Sequence, residues 1–201
     1  MRYIVMLGGV LIALLALGLL FALGIITQQP VTVNGTLIEP SEPVEPFYLM
    51  SGEGPIHTSD YEGKFIILVF GFTHCPDICP TTMSRVAQAV NLLEDRADPF
   101  QVMMVSLDPE RDKPEQVWEY TQSFHHSFLG LTGTDEQIKD VTSRFGIHYE
   151  RSQQESASGY LIDHTTTSIV LDRRGGIVLL WSFDLTPEQM VEDMEFLLKY
   201  R

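Results

Sequence analysis

Phe65-Ile66-Ile67-Leu68-Val69-Phe70-Gly71-Phe72-Thr73-His74-Cys75-Pro76-Asp77-Ile78-Cys79-Pro80 is a nearly unbroken apolar run that ends in a cysteine pair and a proline. An apolar run of this length without alternation is the pattern of a central strand buried on both faces, and Phe100 to Leu107 is a second one. Between them Val86, Ala89, Val90 and Leu93 recur at helical spacing. Pro80 suits the first turn of that helix, where its missing N–H costs nothing, so the helix should begin around Cys79. The two cysteines therefore stand where a strand becomes a helix.

The same alternation continues outward. Asp112-Lys113-Pro114-Glu115 has the form of a helix start, with Val117, Tyr120 and Phe124 on one apolar face. Thr134 with Gln137 opens another helix, faced by Ile138, Val141 and Phe145 and stopped by Gly146. Thr167 to Leu171 and Ile177 to Phe183 read as a hairpin around Arg173-Arg174-Gly175-Gly176. Thr186-Pro187-Glu188-Gln189 opens a final helix with Met190, Met194 and Leu197 inward. The expected fold class is α/β: a mixed sheet covered by helices, with no internal repeat.

The chain has 201 residues, 44% of them hydrophobic and 20% charged, enough for one domain with a substantial core plus additional segments. Its formal charge of -14, with no cluster of Lys and Arg, argues against a nucleic-acid partner. From Tyr3 to Ile26 no residue is charged. Those roughly 24 residues would extend about 36 Å as a helix, longer than a hydrocarbon core of about 30 Å. This predicts one N-terminal transmembrane helix, with residues 1–27 as the anchor; the apolar region of a cleaved signal peptide normally runs only about 7–15 residues. Arg2 precedes the run and no basic residue follows it before Lys64, which places the N-terminus in the cytoplasm and the rest on the periplasmic or extracytoplasmic side of the inner (cytoplasmic) membrane. Residues 28–46, rich in proline and glutamate, read as a linker, with a small hairpin over Val31 to Leu37 turning at Asn34-Gly35; residues 47–201 form the domain.

Cys75 and Cys79 are the chain's only cysteines, and four positions apart they close too short a loop to serve as a structural staple. A thiol at a helix N-terminus meets unpaired N–H groups and the positive end of the helix dipole, which favour the thiolate. Thiolate is the form that binds metal or attacks a disulfide. Two soft thiolates around one helical turn suit a soft ion such as Cu(I) or zinc, and a third ligand has to come from elsewhere. His164, in Asp163-His164-Thr165-Thr166-Thr167, stands just before a predicted strand and is the best-placed candidate; a surface or capping histidine fits the same pattern.

Four segments together resemble the Sco/SenC family: Gly71 to Pro80, Ser106-Leu107-Asp108-Pro109-Glu110-Arg111-Asp112, Leu131-Thr132-Gly133-Thr134 and Tyr160-Leu161-Ile162-Asp163-His164-Thr165. The resemblance runs from about Phe47 to the C-terminus. It implies a thioredoxin-like domain behind an N-terminal anchor, and copper, as Cu(I) and also Cu(II), bound by Cys75, Cys79 and His164. It further implies a metallochaperone that delivers copper to, or reduces, the binuclear copper site of cytochrome c oxidase, with that copper-site subunit and a thiol reductant as partners. The alternative activity is thiol-disulfide oxidoreduction by the pair Cys75 and Cys79. A peroxidase of the peroxiredoxin kind wants Thr-x-x-Cys, and counting from Thr73 gives Pro76 where the cysteine should stand.

Other residues carry weaker signals. Asp77 either tunes the metal or complements the helix dipole. Asp108, Arg111 and Asp112 read first as an ion pair and helix cap and second as a docking site. His74 is a secondary ligand candidate, and His125 and His126 are expected to point apart into solvent. The eight methionines fall mostly at core spacings or in the anchor.

Overall fold

A computed structural model describes residues 14–19, 33–39, 42–156 and 159–201. The chain divides into two units, 1–32 and 33–201. Residues 14–19 are helical; the remainder of the expected anchor lies outside the described residues, and among those described no helix is long and apolar enough to cross a membrane.

The second unit is built on a mixed six-stranded sheet. Its centre is β4 (Phe65–Gly71) and β5 (Phe100–Ser106), parallel to each other and buried at every residue, as their uninterrupted apolar runs require. On one side β6 (Leu129–Leu131) pairs parallel to β5. On the other, β9 (Ser168–Leu171), β10 (Ile177–Trp181) and the two-residue β1 (Thr36–Leu37) follow, each antiparallel to its neighbour. Two further strand pairs form ladders of their own: β2 (Tyr48–Ser51) with β3 (Gly54–His57), bridged through Met50 to Thr132 just after β6, and β7 (Tyr149–Ser156) with β8 (Gly159–His164).

Alternate residues of β4 face opposite ways, so Phe65, Ile67 and Val69 join one core and Ile66, Leu68 and Phe70 the other. The first core is closed by α1 (Ile78–Leu93), through Met83, Val86, Ala89 and Leu93, and by α4 (Pro187–Tyr200), through Met190, Met194 and Leu197. The second is closed by Ile138 and Val141 of α3 (Asp135–Arg144). The remaining helix, α2 (Pro114–Gln122), lies so close to β6 that a Cβ on Gly130 would sit 2.3 Å from the Val117 carbonyl oxygen. The helix starts legible in the sequence form as reciprocal caps: Gln137 N–H to Thr134 Oγ1 at 3.3 Å, and Gln189 N–H to Thr186 Oγ1 at 3.3 Å.

Part of the stretch expected as linker lies along the domain. The strand expected to form a hairpin over Val31 to Leu37 lies partly outside the described residues; its described part, β1, pairs with β10. Just before it the fully buried Asp193 of α4 accepts from the backbone N–H of Asn34 (2.6 Å) and of Gly35 (2.9 Å) and from the Trp181 indole N–H (2.9 Å). A Cβ at Gly35 would stand 2.7 Å from both the Leu180 carbonyl oxygen and Trp181 Cδ1, so only glycine fits this clasp.

Candidate metal centre

The site sits at the C-terminal ends of the parallel strands. As β4 ends, Gly71 leaves room for sulfur: a Cβ there would meet Cys79 Sγ at 2.8 Å. The chain turns through Phe72 to Asp77 and enters α1 at Ile78, one residue before the start expected from Pro80. Cys79, in the first turn of α1, is buried (2% exposed), whereas Cys75 on the loop before it is half-buried, and both are free thiols. The Cys79 backbone N–H reaches Cys75 Sγ at 3.4 Å.

This arrangement separates the two thiols chemically. The Cys79 thiol hydrogen-bonds to the Cys75 sulfur and holds the Cys75 titration down at about 5; backbone N–H groups of Cys79 and Asp77 and the His164 ring act in the same direction against burial. Sharing that proton, together with burial and the Cys75 charge, pushes Cys79 upward. Near neutral pH the pair thus holds one thiolate and one thiol.

His164 ends β8. Its Nδ1 lies 2.8 Å from the Thr165 carbonyl oxygen, a contact that only an N–H can make, and its other ring nitrogen, Nε2, faces Cys79 Sγ, 3.7 Å away. The edge of Phe72 packs on the imidazole at 6.2 Å between centroids. Metal bonds of about 2.3 Å to sulfur and about 2.0 Å to nitrogen, opened to about 120°, would span about 3.7 Å, so Cys79 and His164 already stand at ligand spacing. The triad is nonetheless open: among the described residues the only group of His, Cys, Asp or Glu atoms all within 4.8 Å of one another is His74, Asp108 and Asp112. Closing Cys75, Cys79 and His164 around one ion therefore requires movement of at least one of them.

The residues with weaker signals are placed as follows. Asp108 and Arg111 do form an ion pair (2.5 Å), but Asp112 is not a helix cap, because α2 starts behind Lys113; its carboxylate turns back to the cysteine loop, accepting from Thr73 N–H (2.9 Å), Thr73 Oγ1 (2.5 Å) and Ser106 Oγ (2.6 Å). His74 leans on this carboxylate at 3.4 Å rather than on the sulfurs. Asp77 precedes α1 without a side-chain bond to its N–H groups. His125 and His126 do not point apart: their rings lie 4.5 Å from each other, because His125 is drawn onto Phe128 (5.1 Å) and Ser127 Oγ (2.8 Å). Neither belongs to a described group spaced to hold an ion. Sequence reasoning missed Tyr160, whose hydroxyl donates to Asp108 at 2.7 Å; its place inside a family-like segment was the one available signal.

With this geometry established, comparison with known proteins is informative. The SCO1/SenC family model matches residues 36–199. A SCO2-like protein of Rickettsia prowazekii is 35% identical over 149 residues, which cover 73% of each chain. The solution structure of apo Sco1 from Thermus thermophilus superposes with a TM-score of 0.75 at 40% identity, covering 84% of this chain and 98% of that one. The crystal structure of Arabidopsis thaliana ScoI with copper bound superposes with a TM-score of 0.73 at 31% identity, covering 79% and 100%. The mixed sheet with helices on both faces is a thioredoxin-like fold.

Proposed function

The chain belongs to the SCO1/SenC family, and from that premise we propose that it carries one copper ion on Cys75, Cys79 and His164 and passes it to the binuclear copper site of cytochrome c oxidase. The observation that carries this reading is the 3.7 Å approach of His164 Nε2 to Cys79 Sγ, with the Cys75 sulfur 3.4 Å from the Cys79 backbone nitrogen. Two sulfurs and one imidazole make a soft donor set, which suits Cu(I) and excludes hard ions such as magnesium and calcium. The copper-bound Arabidopsis relative supports copper over zinc. The half-exposed Cys75 gives an incoming ligand exchange partner a place to begin, and the buried Cys79 holds the ion until last.

In this reading residues 1–27 anchor the chain in the inner membrane as a single span, with the domain on the extracytoplasmic side, and a thiol reductant keeps the pair open. Copper stoichiometry and affinity of the reduced full-length chain test the reading. One tightly held Cu(I) per chain, lost in Cys75→Ser and Cys79→Ser and weakened in His164→Ala, is the expected result; normal affinity in all three variants would sink it.

The asymmetry of the thiols favours a second reading, thiol-disulfide exchange at the same copper site. The Cys75 thiolate attacks one sulfur of a partner's disulfide and expels the other as thiolate. Cys79, giving up its proton, then attacks Cys75 and releases the second partner thiol. The partner gains two electrons, one proton from Cys79 and one from water, and this chain is left with a Cys75–Cys79 disulfide. This chemistry needs no His164, so equal reduction of a partner disulfide by His164→Ala separates it from copper carriage.

A further inference from the structure

The copper ligands come from two pieces of chain that do not share a sheet: the cysteine loop after β4 and the hairpin β7–β8. One turn touches both. The Asp112 and Arg111 backbone N–H groups donate to the Asp108 carbonyl oxygen at 2.8 and 3.2 Å, closing residues 108–112 into a single turn with two buried carboxylates. Asp112, with no measurable exposure, grips the cysteine loop two residues before Cys75 is reached, through the Thr73 backbone and hydroxyl. Among the described residues its only ion-pair partner is His74. A buried carboxylate so weakly compensated by charge persists only where its lone pairs are met by hydrogen bonds, which here fixes Thr73 in place.

Asp108 holds the other piece. It accepts from the Tyr160 hydroxyl at 2.7 Å, and Tyr160, Ile162 and His164 alternate along β8 onto one face of the strand. The Tyr160 ring lies 3.6 Å from the Arg111 guanidinium and 3.7 Å from that of Arg151; both fit so close to one centroid only on opposite faces, so the ring is sandwiched. Arg111 in turn is bonded to Asp108 and lies 5.9 Å from Phe72, the ring that packs on His164.

We propose that Asp112 and Asp108 are positioning residues that set the span between the thiols and the imidazole: Asp112 through Thr73 on the cysteine side, Asp108 through Tyr160 on the histidine side. This rests on the copper reading of the site, and it makes the turn 108–112 the common frame to which both halves of the ligand set are referred. Outer groups that orient ligands govern metal affinity by about 10–100-fold.

The test uses the full-length chain in detergent micelles, reduced, with Cu(I) presented by a competing chelator, beside the Cys75–Cys79 disulfide equilibrium against dithiothreitol and the thermal midpoint. Asp112→Asn is expected to weaken Cu(I) by about 10–100-fold and to move the disulfide equilibrium severalfold, since both depend on the cysteine loop. Tyr160→Phe, which keeps the ring and removes the hydroxyl with its short bond to Asp108 and its longer one, 3.4 Å, to the exposed Glu110, is expected to weaken Cu(I) by about tenfold and leave the disulfide equilibrium where it was. A loss of stability alone would move both readouts together. Unchanged Cu(I) affinity in both variants, or equal displacement of the disulfide equilibrium by both, overturns the inference. Failure of the unaltered chain to hold Cu(I) would overturn the copper reading instead, and the disulfide split alone would then decide whether Asp112 positions the cysteine loop.

Discussion

The two halves of the ligand set are built on different principles. The cysteines follow a strand buried at every residue, Cys79 in the first turn of a helix whose inner face is part of the main core and Cys75 on the short loop between them. His164 stands at the end of a hairpin whose strands pair only with each other, whose register shifts between Arg151 and Glu155, and whose outer contact includes the exposed ion pair of Arg151 with Glu110 (2.6 Å). One half is fixed by core packing and the other by a few polar contacts. The difference teaches where the open triad closes. Interiors packed at crystal density resist displacement, so Cys79 and its helix stay in place, and the movement needed to gather three ligands falls to the loop that carries Cys75 and to the hairpin.

The largest effect should come from disturbing the fixed half. Gly71→Ala drives a methyl group to within 2.8 Å of Cys79 Sγ, in a place where neither the strand nor α1 can retreat. Overpacking of this kind costs about 1–3 kcal/mol, read as a lower urea midpoint, and Cu(I) affinity should fall with it. An unchanged midpoint would show that the cysteine half is the yielding one and reverse the comparison.

A second effect sharpens it through pH. Cys75 titrates at about 5 in the folded chain against an ordinary thiol value of 9.0, so across that window the unfolded chain holds a proton that the folded chain does not. Stability of the reduced chain should therefore rise as pH increases from about 5 to about 9. Cys79, shifted the opposite way, contributes stability that is intact below the ordinary thiol value and is lost only above it. Urea midpoints across this range, with Cys75→Ser as the control that flattens the slope, are the measurement; a flat profile in the unaltered chain would mean that the thiolate is not held by the fold.

The smallest effect belongs to the hairpin. Arg151→Ala removes an exposed ion pair and one side of the Tyr160 sandwich, and should cost no more than about 1 kcal/mol, with part of that loss masked at high salt. Its effect on Cu(I) affinity should exceed its effect on the urea midpoint when both are put on one energy scale. The reverse would place the hairpin among the elements that hold the fold together.

The same contrast explains what the amino-acid sequence revealed. The cysteine half is legible because its determinants are local: the apolar run from Phe65, Pro80 in the first helical turn, and the four-residue cysteine spacing all lie within sixteen residues. The helix starts at Thr134 and Thr186 are legible for the same reason, since a capping box is read over four positions. The histidine half depends on contacts far apart in the chain, Tyr160 to Asp108 across 52 residues and Cys79 to His164 across 85, and no periodicity encodes them. Its place before a strand made His164 a candidate and family resemblance favoured it, but neither resemblance nor pattern disclosed that Asp112 reaches back 39 residues to Thr73 instead of capping the helix beside it. The rings of His125 and His126 came together because the helix ends at Gln122, so the helical geometry that would have parted them does not reach these residues, and Phe128 and Ser127 hold His125 instead.

The clasp of Asp193 on Asn34 and Gly35 has a mechanical consequence. β1 is only two residues long, too short to bear a load, so tension arriving along the chain from residue 32 falls first on a buried carboxylate that is braced by the Trp181 indole. The strand and helix that supply this brace, β10 and α4, carry none of the proposed copper ligands. A pull on the chain at residue 33 is thereby grounded in a part of the domain separate from the proposed ligands, so in the copper reading it leaves their spacing undisturbed.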